Sequence, residues 1–319
     1  MKILDVPSKF QPKYHSSYPP YSNGQFMEEV LNDYFVKNKD KIQSDYVYLP
    51  IFWTPFYIMR NYGKDIDDLL EWLGNLDKSK KYFTIVQYAS GIITDSFDLD
   101  ITVFSAGGGG INKKGEYEKN DIFSKGINKK VFIGNTGDYA IPLICKPQLT
   151  EIPKPLDLIQ YLMRKNKSES KNIFCSFMGR YDTHSCRMEM YDILKNEKKI
   201  IMKPPESWKK YYHYLDQSIF ALCPRGYGYT SFRLFEAIAL ECIPIYIWED
   251  EKILPFSDEI NWEDFCIIVH TKNINKIPAL LDAIGESEKR QMRDKIKKYK
   301  KKITFHEIFD YIKKKIVCT

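Results

Sequence analysis

The stretch CPRGYGYTSFRLFEAIALECIPIYIWED, Cys223–Asp250, constrains the fold more than any other part of the chain. An unbroken apolar run ends in a turn holding Gly226 and Gly228. Phe235, Ile238 and Cys242 then recur at helical spacing, and a second apolar run closes on acids. Apolar runs without alternation are strands buried on both faces, and two parallel strands need a crossover helix between them. The stretch therefore reads as one strand–turn–helix–strand unit of an α/β sheet.

The alternation extends in both directions. GQFMEEVLNDYFVKN reads as helix, SDYVYLPIFW as strand, DIDDLLEWLGNL as helix, and KKYFTIVQY and ITVFSAGGGG as strands. KVFIGN and YAIPLICKP continue the pattern. Prolines between Pro147 and Pro155 and the polar run RKNKSESKN mark a hinge. Beyond it come NIFCSFMG, SCRMEMYDILK, KKIIMKPP and SIFALC, then the opening unit and FCIIVH. The expected organisation is an α/β domain over 1–165, a second over 166–288 and a basic helical tail over 289–319.

Composition narrows the class. No apolar run approaches the roughly 20 residues that span a bilayer, and the N-terminal residues lack the apolar core of a signal peptide. The 7 cysteines are scattered without CxxC spacing, so neither a disulfide framework nor a zinc site is indicated and a cytoplasmic location is expected. The net charge of +6 is local: residues 289–319 hold 12 Lys or Arg against 3 acids. That tail reads as a solvated helix face, with peripheral contact to an acidic membrane as the alternative and no nucleic acid as partner.

The chemistry of the opening unit lies in its turn. Glycines between a buried strand and a helix let a ligand approach the backbone, and the first helical amides favour phosphate. Ser231 stands where an N-cap is expected. Arg233 and Glu236 are neighbours at the helix start. The plain reading is a surface ion pair. The sharper one gives a diphosphate to Arg225 and Arg233 and the vicinal hydroxyls of a ribose to Glu236. A third reading takes Gly226, Gly228 and Ser231 as an imperfect GxGxxG, with Glu249 as the ribose acid of a dinucleotide enzyme.

Several motifs together carry a resemblance: PRG, SFRLFEA, CIPIYI, LPF and the tryptophan of INWEDF, with FCSFMGRYDTHSCR upstream. They resemble the C-terminal half of the exostosin-like family of inverting glycosyltransferases, and FTIVQYASG and ITVFSAGGG are similar to its first domain. The resemblance implies a GT-B architecture: two facing Rossmann-like domains with a C-terminal helix. It also implies a nucleotide-sugar donor, a UDP-sugar, with a glycan as acceptor and no cofactor or metal. Arg180, Arg187, Arg225, Gly226, Ser231, Arg233 and Glu236 would hold the donor. Relatives carry membrane anchors and work in the Golgi lumen, whereas this chain would build glycans in a bacterial or viral setting.

An inverting transfer needs a base for the acceptor hydroxyl and positive charge for the departing diphosphate. The family places an aspartate in the turn after the strand matching IVQY, where this chain has Ala89-Ser90-Gly91. Asp95 is then the expected base and Asp98 the alternative, with Asp100 nearby; a catalytically inactive relative that binds nucleotide sugar or glycan is the competing reading. Asp98-Leu99-Asp100 also forms a DxD, a metal-binding pattern, as does Asp65-Ile66-Asp67. His184 is a phosphate contact or a helix cap, and Trp53 and Tyr57 are core residues or a sugar platform.

Overall fold

The computed structural model describes residues 1–13, 25–63, 65–89, 91–94, 98–113, 118–123, 127–132, 136–144 and 171–317. The expected hinge and the boundary at 165 lie outside the described residues, as does Asp95.

Two five-stranded sheets, parallel throughout, carry the chain. The first has the order β1 (Lys2–Ile3), β2 (Tyr46–Tyr48), β3 (Lys81–Val86), β5 (Asp100–Ser105) and β9 (Tyr139–Ala140). Two small two-stranded pieces accompany it: β4 (Ile92–Thr94) with β6 (Ile111–Lys113), and the hairpin of β7 (Glu118–Phe123) with β8 (Ile127–Phe132). Three helices belong to this unit: α1 (Met27–Asn38), α2 (Trp53–Met59) and α3 (Asp67–Gly74). The tail of the sequence-expected strand at FW is instead the start of α2, where Trp53 is buried and donates Nε1 to Thr84 Oγ1 at 2.7 Å. Tyr57 packs edge-on against Tyr88. Both aromatics are core residues.

The second sheet has the order β11 (Ile200–Lys203), β10 (Ile173–Met178), β12 (Ser218–Pro224), β13 (Ile243–Trp248) and β14 (Ile267–His270). Its middle strands, IFCSFM, SIFALCP and IPIYIW, are mostly buried, as a sheet covered on both faces requires. In chain order this is 2-1-3-4-5, so the strand order reverses between β10 and β12. Open α/β sheets bind ligands outside the carboxyl ends of the strands at such a reversal. The helices are α4 (Ser185–Leu194), α5 (Trp208–Gln217), α6 (Phe232–Ala239), α7 (Ile277–Ala283), α8 (Glu286–Tyr299) and α9 (Phe305–Ile316).

The carboxyl ends of the two sheets meet. Tyr229, after β12, donates its amide to the carbonyl of Gly107, after β5, at 3.1 Å. A methyl group on Gly228 would lie 2.3 Å from the carbonyl oxygen of Ala89 and 2.6 Å from that of Gly107, so only glycine fits there. Gly108, at φ +98°, turns the chain under the Tyr229 ring. Two parallel α/β units facing one another through their strand ends make a GT-B arrangement.

The basic tail comprises α8, α9 and the turn between them, and five of its lysines pair with acids of the body. Lys300 pairs with Glu241, Lys302 and Lys314 with Glu259, Lys315 with Asp258, and Lys295 with Asp264. The apolar face of α9 returns to the first unit: Phe309 stacks at 4.9 Å from Phe35 and 5.9 Å from Tyr34 of α1. Tyr311 of α9 meets Phe256 of the second unit at 4.4 Å and Tyr139 of the first at 6.3 Å. Among the described residues, no helix is long and apolar enough to cross a membrane.

Candidate functional site

The carboxyl ends of β10 and β12 carry the arginines that the sequence singles out. Arg187, one turn into α4, is buried and sends its guanidinium across the strand-order reversal. Nε donates to the carbonyl of Arg225 at 2.7 Å, Nη1 to that of Arg180 at 3.1 Å and Nη2 to that of Pro224 at 3.4 Å. Burial and then the Arg233 guanidinium push its pKa down to about 10, still protonated at neutral pH.

Arg233 comes from the other side, in the first turn of α6. Its Nη2 donates to the carbonyl of Met178 at the end of β10, and its guanidinium lies over Phe177 at 4.4 Å and Tyr211 at 4.9 Å. Its Nε is buried and makes no hydrogen bond. Gly179 leaves room for this approach, since a methyl group there would lie 2.5 Å from Nη2. Two buried guanidiniums thus share one end of the sheet, both anchored on carbonyls.

Arg233 forms no ion pair with Glu236. The Glu236 carboxylate accepts a short hydrogen bond from the Tyr211 hydroxyl, and burial raises its pKa, an effect that the phenol and Arg233 oppose. Tyr211 stands on α5, a helix that the sequence reading missed. Its signal was SWKKYYHYLDQ, where Ser207 accepts from the Lys210 amide as an N-cap.

Arg225 is oriented inward. It is 1% exposed, and Nη1 pairs with Asp250 Oδ2 at 3.0 Å and also reaches the carbonyl of Glu249 at 3.3 Å. Nε donates to the carbonyl of Gly228 at 3.2 Å, and the guanidinium covers the Tyr229 ring at 4.8 Å. Its neighbour Gly226 closes the turn, donating its amide to the carbonyl of Thr230 at 3.3 Å. Arg180 is exposed and held by both oxygens of Asp182, at 2.9 and 2.8 Å. Ser231 is the N-cap residue of α6, yet its side chain makes no capping bond.

His184 is the N-cap of α4: Nδ1 accepts from the Cys186 amide at 3.2 Å and lies 3.6 Å from Glu249 Oε2. Glu249 accordingly faces a helix cap. In the dinucleotide fingerprint the glycine turn follows the first strand. Here it follows β12, the third strand of its sheet, which weakens that reading.

The acids proposed as base are dispersed. Asp98 is exposed beside Lys78 at 3.5 Å, and Asp100 opens β5. Both lie at the amino-terminal edge of the first sheet, whereas the site lies at its carboxyl edge; the length of β5, about 17 Å at 3.3 Å per residue, separates them. That geometry places Asp98 at the opposite end of its sheet from the arginine cluster. The sequence reading also passed over Glu28, a fully buried glutamate in the first turn of α1.

The Exostosin GT47 domain matches residues 113–284, more than half of the chain. A probable glucuronosyltransferase of Oryza sativa subsp. japonica is 33% identical over 109 residues, which are 33% of this chain and 25% of the relative. A probable beta-1,4-xylosyltransferase of Arabidopsis thaliana is 40% identical over 74 residues, 23% of this chain and 18% of the relative. The chain thus spans about a quarter or less of the length of the curated relatives it matches. Among solved structures, trehalose-6-phosphate synthase OtsA is similar at a TM-score of 0.34 and 11% identity, covering 91% of this chain and 77% of that one, too distant a likeness to bear on function. With that match running through the turns at the strand-order reversal, the chain belongs to the Exostosin GT47 domain family.

Proposed function

We propose that the chain is an inverting glycosyltransferase that takes a sugar from a nucleoside-diphosphate donor, a UDP-sugar, and passes it to a glycan hydroxyl. One observation carries this reading: Arg187 and Arg233 converge at the carboxyl ends of β10 and β12, and the buried Arg233 Nε lacks an acceptor. Two guanidiniums that repel one another and rest on carbonyls are stabilised by an anion between the turns.

The roles follow from placement. Arg233 Nε and the first amides of α6 receive the diphosphate, Ser231 adds its hydroxyl, and Arg180 swings from Asp182 to the outer phosphate. Arg187 holds the two turns at the spacing the diphosphate needs, and Arg225 with Gly226 keeps the glycine turn in shape. Glu236, oriented by Tyr211, accepts the ribose hydroxyls. As the sugar departs, negative charge grows on the diphosphate, and these fixed positive groups stabilise it more than the ground state. This division of charge gives a transfer without metal. Lys300, Lys302, Lys314 and Lys315 of the tail take no part, since acids of the body hold them.

The test is a thermal-shift panel of UDP, GDP, NAD and UDP-sugars, including UDP-xylose and UDP-glucuronate, chosen from the names of the relatives. UDP should stabilise the protein with or without EDTA, and Arg233→Met should abolish the shift. Stabilisation by NAD alone, or by no nucleotide, would refute the reading. The competing reading, a non-catalytic binder, is favoured by the missing acid at Ala89. It predicts a UDP shift with no release of UDP from any donor.

A further inference from the structure

Among the described residues, one group of histidine, cysteine and acid brings its donor atoms together: His184, Cys186 and Glu249. One ligand atom of each lies within 4.8 Å of the others. His184 Nδ1 and Glu249 Oε2 are 3.6 Å apart. His184 and Cys186 are buried, and the Glu249 side chain is 23% exposed, so the group is enclosed with one opening towards solvent. Nδ1 accepts the Cys186 amide at 3.2 Å, which makes it the unprotonated nitrogen of the ring. That is the form in which imidazole binds metal. No CxxC spacing announces the group in the sequence, because Glu249 reaches the other two only through the parallel pairing of β10, β12 and β13.

The separations suit a tetrahedral zinc ion. Zinc stands about 2.1 Å from an imidazole nitrogen, about 2.0 Å from a carboxylate oxygen and about 2.3 Å from a thiolate. At the tetrahedral angle, nitrogen and oxygen are then about 3.3 Å apart, and sulfur is about 3.5 Å from either. The nitrogen–oxygen spacing is already close to this, and a turn of the Cys186 side chain brings in the sulfur. Charge favours the ion too: Zn²⁺ with one thiolate and one carboxylate is neutral, whereas either anion alone is costly to bury. Cys186 lies in the first turn of α4, where helix amides favour a thiolate, and the neighbouring Arg187 guanidinium acts in the same direction. Sulfur and nitrogen donors select zinc over magnesium, calcium or manganese.

We propose that His184, Cys186 and Glu249 form a zinc site, completed by water, that ties the start of α4 to the end of β13. On binding, zinc replaces the proton of the Cys186 thiol, which leaves to solvent. Nδ1 exchanges the amide for the ion, and Glu249 binds as the carboxylate. Both ends of this tie adjoin the arginine cluster. Arg187, which holds the two turns, follows Cys186, and Asp250, which holds Arg225, follows Glu249. Three protein ligands and a water fill the tetrahedron, so the ion braces the turns and leaves a diphosphate to the arginines.

The test is zinc rebinding by the whole chain after a chelator has stripped it. One zinc per chain should return in competition with a chromogenic chelator, and zinc should raise the melting temperature. Cobalt(II) in its place should give the visible bands of a tetrahedral site and a thiolate charge-transfer band. Cys186→Ala should lose that band. Cys186→Ala and Glu249→Gln should each weaken zinc at least about 100-fold, beyond the loss that an outer-shell change causes. His184→Asn keeps a helix cap and should lose zinc all the same. Zinc affinity unchanged in Cys186→Ala, or a melting temperature that saturating zinc does not raise, would overturn the site and leave His184 a helix cap. Should Cys186→Ala not fold, Cys186→Ser keeps the side chain's size, and unchanged zinc affinity there would sink the proposal equally. None of these readouts uses UDP, so failure of the zinc site and failure of the donor reading are told apart.

Discussion

Arg187 Nε donates to the carbonyl of Arg225 at 2.7 Å, so a residue of α4 holds the turn that precedes α6. The two turns at the strand-order reversal are one rigid object because of this guanidinium. Arg187→Lys keeps the charge but has no fork to reach Arg180, Pro224 and Arg225 together. It should lower stability by about 2–3 kcal/mol, each orphaned buried carbonyl contributing about 1 kcal/mol or more. Urea midpoints check the stability loss, and the UDP titration should show weaker binding.

Tyr211→Phe removes the hydroxyl that donates to the Glu236 carboxylate. Glu236 already has a raised pKa through burial, so losing this donor raises it further. In the proposed role Glu236 accepts the ribose hydroxyls as the ionised form, so UDP affinity should fall as pH drops through the folded pKa. The variant should bind UDP about tenfold more weakly at pH 7, a loss of about 1.4 kcal/mol. The fall should also begin at a higher pH than in wild type, as calorimetric titrations between pH 5 and 8 would show.

Glu28 makes stability depend on pH in a definite direction. Its pKa in the folded chain is about 7, against 4.5 in the reference state. A raised folded pKa means that the folded form holds the proton more tightly, so its contribution is complete below 4.5 and is lost as pH rises to about 7. The size is roughly 3 kcal/mol. Denaturant midpoints should therefore fall between pH 5 and pH 8 in wild type and change less in Glu28→Gln.

Gly228→Ala places a methyl group 2.3 Å from the carbonyl oxygen of Ala89. Backbone, not a pliable side chain, receives the clash, so the seam between the units must part. The expected cost is about 1–3 kcal/mol. UDP should still bind, because Arg187, Arg233 and Glu236 are untouched. Transfer should drop at least tenfold, measured with donor saturating.

Phe309→Ala empties a site packed by Phe35 and Tyr34. A buried aromatic truncated to alanine costs about 3–5 kcal/mol. Lys314→Ala, which breaks only the exposed pair with Glu259, should cost less than about 1 kcal/mol. Midpoints of the two variants side by side separate the apolar role of α9 from its charge.

The proposed donor site was legible because local rules govern it. The glycine turn, the helical spacing after Ser231 and the neighbouring Arg233 and Glu236 all follow from short-range geometry. Arg225 was not legible in direction: its guanidinium turns inward because Asp250, 25 residues on, is brought beside it by the parallel pairing of β12 and β13. Tyr211 stands in a stripe with Trp208, Tyr212 and Leu215 at helical spacing, but nothing local in the sequence says that it meets Glu236 of another helix. Glu28 and Glu29 are indistinguishable as letters, and only the packing of α1 on β3 decides which one turns inward. The tail lysines looked like a free basic face because the acidic partners of Lys295, Lys300, Lys302, Lys314 and Lys315 lie 31 to 59 residues away in sequence.

The return of α9 to α1 also orders how the chain can be made. Phe35 of the first unit has Phe309 as a neighbour, so that unit's core is completed only after α9 has been synthesised. The sheet from β10 to β14 is synthesised before then and can close first. The nascent chain would therefore pass through a stage in which the second sheet is folded while the first unit still lacks α9, and chaperone dependence should concentrate there.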